Sequence, residues 1–144
     1  ADLAPGRPVQ TVSTGLPTTI VPVRDLDTLR RATRNEQLVG QAVRASGGQD
    51  LYLFAPTADG VTARMFDSEF GIGEDPATGS AAGPLGVYLG EYGDLDTTRL
   101  LSIRQGEQVG RPSELHVEAR REDGAWRARV GGGVHIVGRG AFEL

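Results

Sequence analysis

Residues 81–92 (AAGPLGVYLGEY) constrain this chain more than any other stretch. At helical spacing the run has almost no polar face, because Ala81, Ala82, Leu85, Val87, Tyr88 and Leu89 are distributed all round it. A helix that is apolar on every side has to be buried on every side. A chain of 144 residues, 38% of them hydrophobic, has material for one domain with one main core. The rest of the chain must therefore enclose this helix. Most of it reads as strand, so the expected fold is α+β: a mainly antiparallel sheet curled around a central buried helix of about Ala81–Tyr92.

Residues 1–17, dotted with Pro5, Pro8 and Pro17 and lacking periodicity, read as a linker leading into a single domain over residues 18–144. Thr18–Val23 (TTIVPV) is strand-like, with Pro22 marking an edge or a strand end. Asp25 or Asp27 can cap a helix that carries Leu26, Leu29 and Ala32 on one face. A second helix spans about Glu36–Ala45, with Leu38, Val39 and Ala42 inward, and Gly47-Gly48 stops it. Asp50–Ala55 and Val61–Phe66 form a hairpin about a turn at residues 57–60. A glycine-rich loop follows over Glu69–Gly79, and Arg99–Arg104 is a further strand. In Ser113–Arg121, Leu115, Val117 and Ala119 alternate with Glu114, His116, Glu118 and Arg120, as a half-buried strand requires. Asp123-Gly124 supplies a hairpin turn. Trp126–Val130 and Val134–Val137 then read as two strands separated by Gly131–Gly133.

Composition excludes several kinds of chemistry. There is no cysteine, which removes disulfides, zinc ribbons, iron–sulfur clusters and thiol catalysis, and accords with a cytoplasmic protein. All 15 basic residues are arginine, so lysine Schiff bases and lysine bases are absent. A net charge of −4 argues against nucleic acid and anionic membrane as partners. No apolar run approaches the roughly 20 residues of a membrane helix. The first residues lack a basic start and an apolar core, so they are no signal peptide, and a chain opening on Ala1 reads as cut.

The densest chemical signal is Gly71–Gly83, GIGEDPATGSAAG. It fails the dinucleotide fingerprint, since Pro76 stands where the third glycine is needed. It fails the Walker loop for want of lysine. Adjacent Glu74 and Asp75 with no histidine or third acid make a poor metal site, so no metal and no cofactor is expected. What remains is a ligand held by backbone N–H groups. Pro84 is tolerated only in a first turn, which puts the helix start near Ala81. The N–H groups of Gly79, Ser80 and Ala81, with the Thr78 and Ser80 hydroxyls, then form a cradle suited to a substrate carboxylate. The plainer alternative is that Asp75-Pro76 only caps the helix.

GIGEDPATGSAAGPLGVYL resembles the central motif of the PhzF-like (phenazine biosynthesis) isomerase family, within the diaminopimelate-epimerase-like superfamily. Thr14–Pro17, Arg64–Phe66, the QGEQVGRPS string from Gln105 to Ser113, and Val130–Gly132 resemble the same family in the same order. The resemblance implies one of two similar halves, each a sheet around a central helix, with the active site between them. It covers the C-terminal half only, so the N-terminal half, with the family's proposed acid/base glutamate and a histidine, is expected to be missing here. It implies Asp75 and Ser80 as catalytic residues, and Gly79 and Ser80 in the substrate-binding turn. Glu74 has even odds of being structural or part of the site. Thr78 occupies the cysteine position of the superfamily's racemases, which excludes two-cysteine racemisation. The implied reaction moves a proton between carbons of a small carboxylated ring substrate without a cofactor.

His116 falls on a polar strand face and reads as a surface residue. His135, in an apolar run, reads as packed or at an edge. Arg111 can hold a loop end or a substrate anion, and the loop-end clamp is the favoured reading; Trp126 and Phe142 read as sheet packing, and Tyr88 and Tyr92 as core. Three functions compete: an enzyme half that is inactive alone, a non-catalytic carboxylate-binding module, and one subunit of an assembly that rebuilds the cleft. The third would pair the chain with a separate N-terminal half or with a second copy as a homodimer.

Overall fold

The computed structural model describes residues 2–67, 71–92 and 99–143. Glu69, where the glycine-rich loop is expected to open, lies outside them. Eight strands form one sheet: β1 (Gln10–Ser13), β2 (Pro17–Pro22), β3 (Asp50–Thr57), β4 (Gly60–Asp67), β5 (Glu74–Asp75), β6 (Leu101–Gln105), β7 (Ser113–Glu122) and β8 (Ala125–Gly132). The helices are α1 (Leu26–Arg31), α2 (Glu36–Ser46) and α3 (Gly79–Glu91), with a 3-10 turn at Glu107–Val109. The strand order is β1-β2-β3-β4-β6-β7-β8, and the two-residue β5 also pairs with β4. The β2–β3 and β4–β6 pairs are parallel and the others antiparallel.

The curl of the sheet follows from its contacts with α3. That helix touches β1 and β2 at one end of the strand order and β7 and β8 at the other. A flat sheet cannot present both ends to one helix. At Gly83 the two ends meet, with Thr14 and the Ala128 methyl both close to the glycine. Gly86 lets β7 come still closer, since a Cβ there would stand 2.5 Å from Val117 Cγ1. The inner core joins Ala81, Leu85, Tyr88 and Leu89 of α3 to Ile20, Tyr52, Phe54 and Val117 from the sheet, among others. Tyr88 meets Phe54 edge to face at 5.8 Å.

The outer face carries a second cluster, in which Leu29, Val39 and Val43 of the short helices cover Leu53, Ala55 and Phe66. The Asp25 carboxylate caps α1 through Thr28 N at 2.7 Å, and Asn35 caps α2 through Leu38 N at 3.0 Å.

Several local expectations change, among them Phe142 and Tyr92, read as sheet packing and as core and both exposed. Residues 1–17 are more than a linker, because Gln10–Ser13 pairs with β2 and Leu3 bridges to Val23. Helix α2 faces inward with Val39 and Val43, and Leu38 and Ala42 are exposed. Helix α3 begins at Gly79, so Pro84 sits in its second turn rather than its first. The strand expected at Val134–Val137 is absent, and Val134, Ile136, Val137 and Phe142 are 85%, 74%, 99% and 97% exposed. His135 is exposed with them. A period-two pattern forms a strand only where it pairs with a neighbour, and this segment pairs with no described strand.

Candidate active site

The glycine-rich motif lies where β5 turns into α3, at one open end of the curled sheet. Strand β5 pairs Asp75 with Met65 and Glu74 with Phe66. Successive strand residues point to opposite faces. Asp75 therefore projects inward beside α3 and Glu74 outward, so the two carboxylates cannot share an ion.

Glu74 is fully engaged on the outer face. Its Oε1 and Oε2 accept from Arg64 Nε and Nη2 at 2.9 and 2.7 Å, with the two side chains 12% and 7% exposed. Arg64 Nη1 also donates to the carbonyls of Leu29 and Ala32, at 3.0 and 2.6 Å. The pair ties the site strand to the end of α1. Glu74 has its partners in the fold and faces away from the α3 end.

Asp75 is half-buried and differently held. Its Oδ2 accepts from the Thr78 hydroxyl at 2.7 Å. Among the described residues its Oδ1 has no hydrogen-bond partner. Thr78 is buried and is the N-cap of α3, with no side-chain cap bond. The cap reading of Asp75-Pro76 therefore does not hold. The Thr78 hydroxyl is committed to Asp75 rather than open to a ligand.

Gln105 completes this arrangement, and sequence reading assigned it no role. It is 1% exposed at the end of β6. Its Nε2 donates to the Asp75 carbonyl at 2.7 Å and to Thr78 Oγ1 at 2.9 Å. Its Oε1 accepts from Tyr52 Oη at 2.8 Å and Thr78 N at 3.3 Å. Gly106 makes the approach feasible: its φ is +86°, and a Cβ there would stand 2.7 Å from the Pro76 carbonyl.

At the start of α3, the Ala81 and Ala82 amides bond to the Thr78 carbonyl at 3.2 and 3.1 Å. Thr78 N is held by Gln105. Of the expected cradle of three amides and two hydroxyls, the amides that remain open are those of Gly79 and Ser80, which have no partner among the described residues. Both residues are exposed, and Ala81 is buried. The Ser80 hydroxyl likewise has no partner among the described residues. Two adjacent N–H groups at the positive end of a buried helix favour an anion.

A shallow cleft of about 890 Å³ opens beside Gly79, bounded by Arg111, Ser113 and Gly131. Two further acids lie on the inner face one row nearer the opening. Asp50 and Asp67 are register partners across β3 and β4, and Thr18 flanks Asp50 on β2. Burial, opposed by the neighbouring Thr18 hydroxyl and reinforced by the charges of Asp67 and Asp75, pushes the Asp50 carboxyl up to about 6.

The sheet wrapped on one helix, with polar groups gathered at that helix's N-terminus, fits the diaminopimelate-epimerase-like fold. The family model for phenazine biosynthesis-like proteins matches residues 1–140, and the chain belongs to that family. The trans-2,3-dihydro-3-hydroxyanthranilate isomerase of Pseudomonas chlororaphis is 42% identical over 82 residues, covering 56% of this chain and 30% of that protein. An uncharacterized isomerase of Clostridium acetobutylicum is 32% identical over 127 residues, covering 83% of this chain and 42% of that protein. Among solved structures, a predicted epimerase from Pseudomonas aeruginosa superposes with a TM-score of 0.69 at 34% identity, over 96% of this chain and 48% of that one. A PhzF-family protein from Bacillus anthracis gives a TM-score of 0.77 at 25% identity, over 91% and 47%. The chain spans less than half the length of each of these relatives. Among the described residues no helix is long and apolar enough to cross a membrane.

Proposed function

We propose that this chain forms one wall of a cofactor-independent isomerase site, in which Asp75 handles a proton and the Gly79 and Ser80 amides hold a substrate carboxylate. One observation carries the reading. Asp75, whose Oδ1 has no hydrogen-bond partner among the described residues, is tied through Oδ2 to Thr78, the residue that immediately precedes the two unpaired amides. The amides fix the carboxylate, and the ring it carries then lies within reach of an acid or base. A negative charge developing on the substrate when carbon loses its proton is stabilised by the helix N-terminus. Ser80 Oγ adds a donor at the same spot.

The second wall and the principal base belong to a companion half, in this protein or in a partner chain. Two observations support that assignment. The chain covers under half of its relatives, and Val134, Ile136, Val137 and Phe142 expose apolar surface that a companion would cover. The chain alone is then inactive.

The test is incubation in D₂O with trans-2,3-dihydro-3-hydroxyanthranilate, the substrate in the name of the P. chlororaphis relative. Deuterium should enter a carbon position when both halves are present and not with the 144 residues alone. Exchange by the chain alone would refute the missing wall. No exchange by the two halves together would refute this substrate class.

A further inference from the structure

We infer that Gln105 is a positioning residue that turns the Thr78 hydroxyl onto Asp75 Oδ2 and so reserves Oδ1 as the atom through which Asp75 gives and takes a proton. The inference rests on the reading of Asp75 as a proton-handling group. Its argument starts from two backbone groups that admit only one polarity. Thr78 N–H can only donate, and it meets one end of the Gln105 amide. The Asp75 carbonyl can only accept, and it meets the other. Together they fix which end is oxygen and which is nitrogen.

The remaining directions follow in sequence. With Oε1 identified, the Tyr52 hydroxyl must donate to it. Burial, with the charges of Asp50 and Asp75 adding to it, raises the phenol far above its ordinary range, so that proton is always present. The second Nε2 proton goes to Thr78 Oγ1. A hydroxyl that receives this proton has its own left to donate, and the acceptor at 2.7 Å is Asp75 Oδ2. All four hydrogen-bonding positions of the Gln105 amide are then filled, which is what a side chain only 1% exposed requires. Oδ2 is an acceptor in every state of the site, and any proton on Asp75 sits on Oδ1.

The test has two arms. The first needs no turnover. In ¹⁵N–¹H spectra of the chain, the Gln105 side-chain amide should give two separate, slowly exchanging signals. Thr78→Val should move both, and Thr78→Ser should leave them near their original positions. Signals with the position and exchange rate of an exposed glutamine would overturn the inference outright. The second arm measures kcat and KM of the native protein. Thr78→Val should lower kcat about tenfold with KM changed less than about twofold, and Thr78→Ser should keep kcat within about threefold. Equal kcat for wild type and Thr78→Val would overturn the positioning role while leaving the isomerase reading intact. A wild type without turnover would overturn the isomerase reading and the catalytic role with it, and the first arm would still decide the polarity of the network. If Thr78→Val fails to fold, Tyr52→Phe replaces it, with a loss in kcat of a few-fold expected; an unchanged kcat there would count against the inference.

Discussion

Glu74 and Asp75 are neighbours in sequence, and they share a residue class, a strand and a glycine-rich motif. The structure gives them opposite surroundings. Glu74 points out of the sheet into a two-point ion pair with Arg64, which also holds the end of α1. Asp75 points in, is held through one oxygen, and has no described partner for the other. What separates them is the alternation of a strand two residues long. A carboxylate with every oxygen engaged by the fold belongs to stability. One with an oxygen left open is the one proposed to handle a proton.

That contrast can be tested by removing each side in turn. The largest expected effect is on the outer face. Arg64→Ala leaves the Glu74 carboxylate buried without its partner and should cost roughly 3–5 kcal/mol in a denaturant titration. A loss below about 1 kcal/mol would place Glu74 among exposed, weakly coupled acids. On the inner face Asp75→Asn should show the reverse pattern. Turnover of the native protein should drop at least about a hundredfold, with the melting temperature within a few degrees of wild type. If both properties fall together, Asp75 is as structural as Glu74.

Gly79→Pro sharpens the anion side of the comparison. Proline is accepted at the first position of a helix and lacks the N–H in question. A Cβ at Gly79 meets nothing within 4 Å, so the fold should tolerate the change. Carboxylate binding should weaken by about 1.5–3 kcal/mol, the scale of one hydrogen bond to a charged group. Unchanged binding by calorimetry would remove the amide from the site.

The smallest effect concerns Asp50. Its carboxyl is raised from 3.8 to about 6 in the fold, so the native state binds more protons than the unfolded one between those values. The contribution of Asp50 to stability should therefore be fullest below about pH 4, fall as pH rises from there through 6, and stay lowered above it. Asp50→Asn should recover about 1–3 kcal/mol at pH 7 and nothing at pH 4. A variant equally stabilised at both pH values would assign the effect to packing instead.

Much of the frame was legible in the sequence because it rests on long local patterns. The apolar run of α3 forces a central helix, and the alternation of Leu115, Val117 and Ala119 puts β7 against it. The Asp123-Gly124 turn is equally local. The division of labour between Glu74 and Asp75 was not legible, since two residues carry no periodicity. Gln105 was not legible either. Its partners Tyr52 and Thr78 lie 53 and 27 residues away, and only the parallel pairing of β6 with β4 brings them together. Val134–Val137 shows the opposite failure, a strand pattern that pairs with no described strand. The start of α3 offers fewer free groups than the sequence led one to expect, because the Thr78 carbonyl takes up the amides of Ala81 and Ala82.

The most direct measurement is a ¹⁵N–¹H titration of the chain with 2-aminobenzoate, a stable ring carboxylate. The Gly79 and Ser80 amide signals should move furthest, and the response should weaken in Gly79→Pro. If those two signals stay fixed while residues across the cleft such as His116 and Gly131 move, the carboxylate lies elsewhere and the start of α3 is not the site.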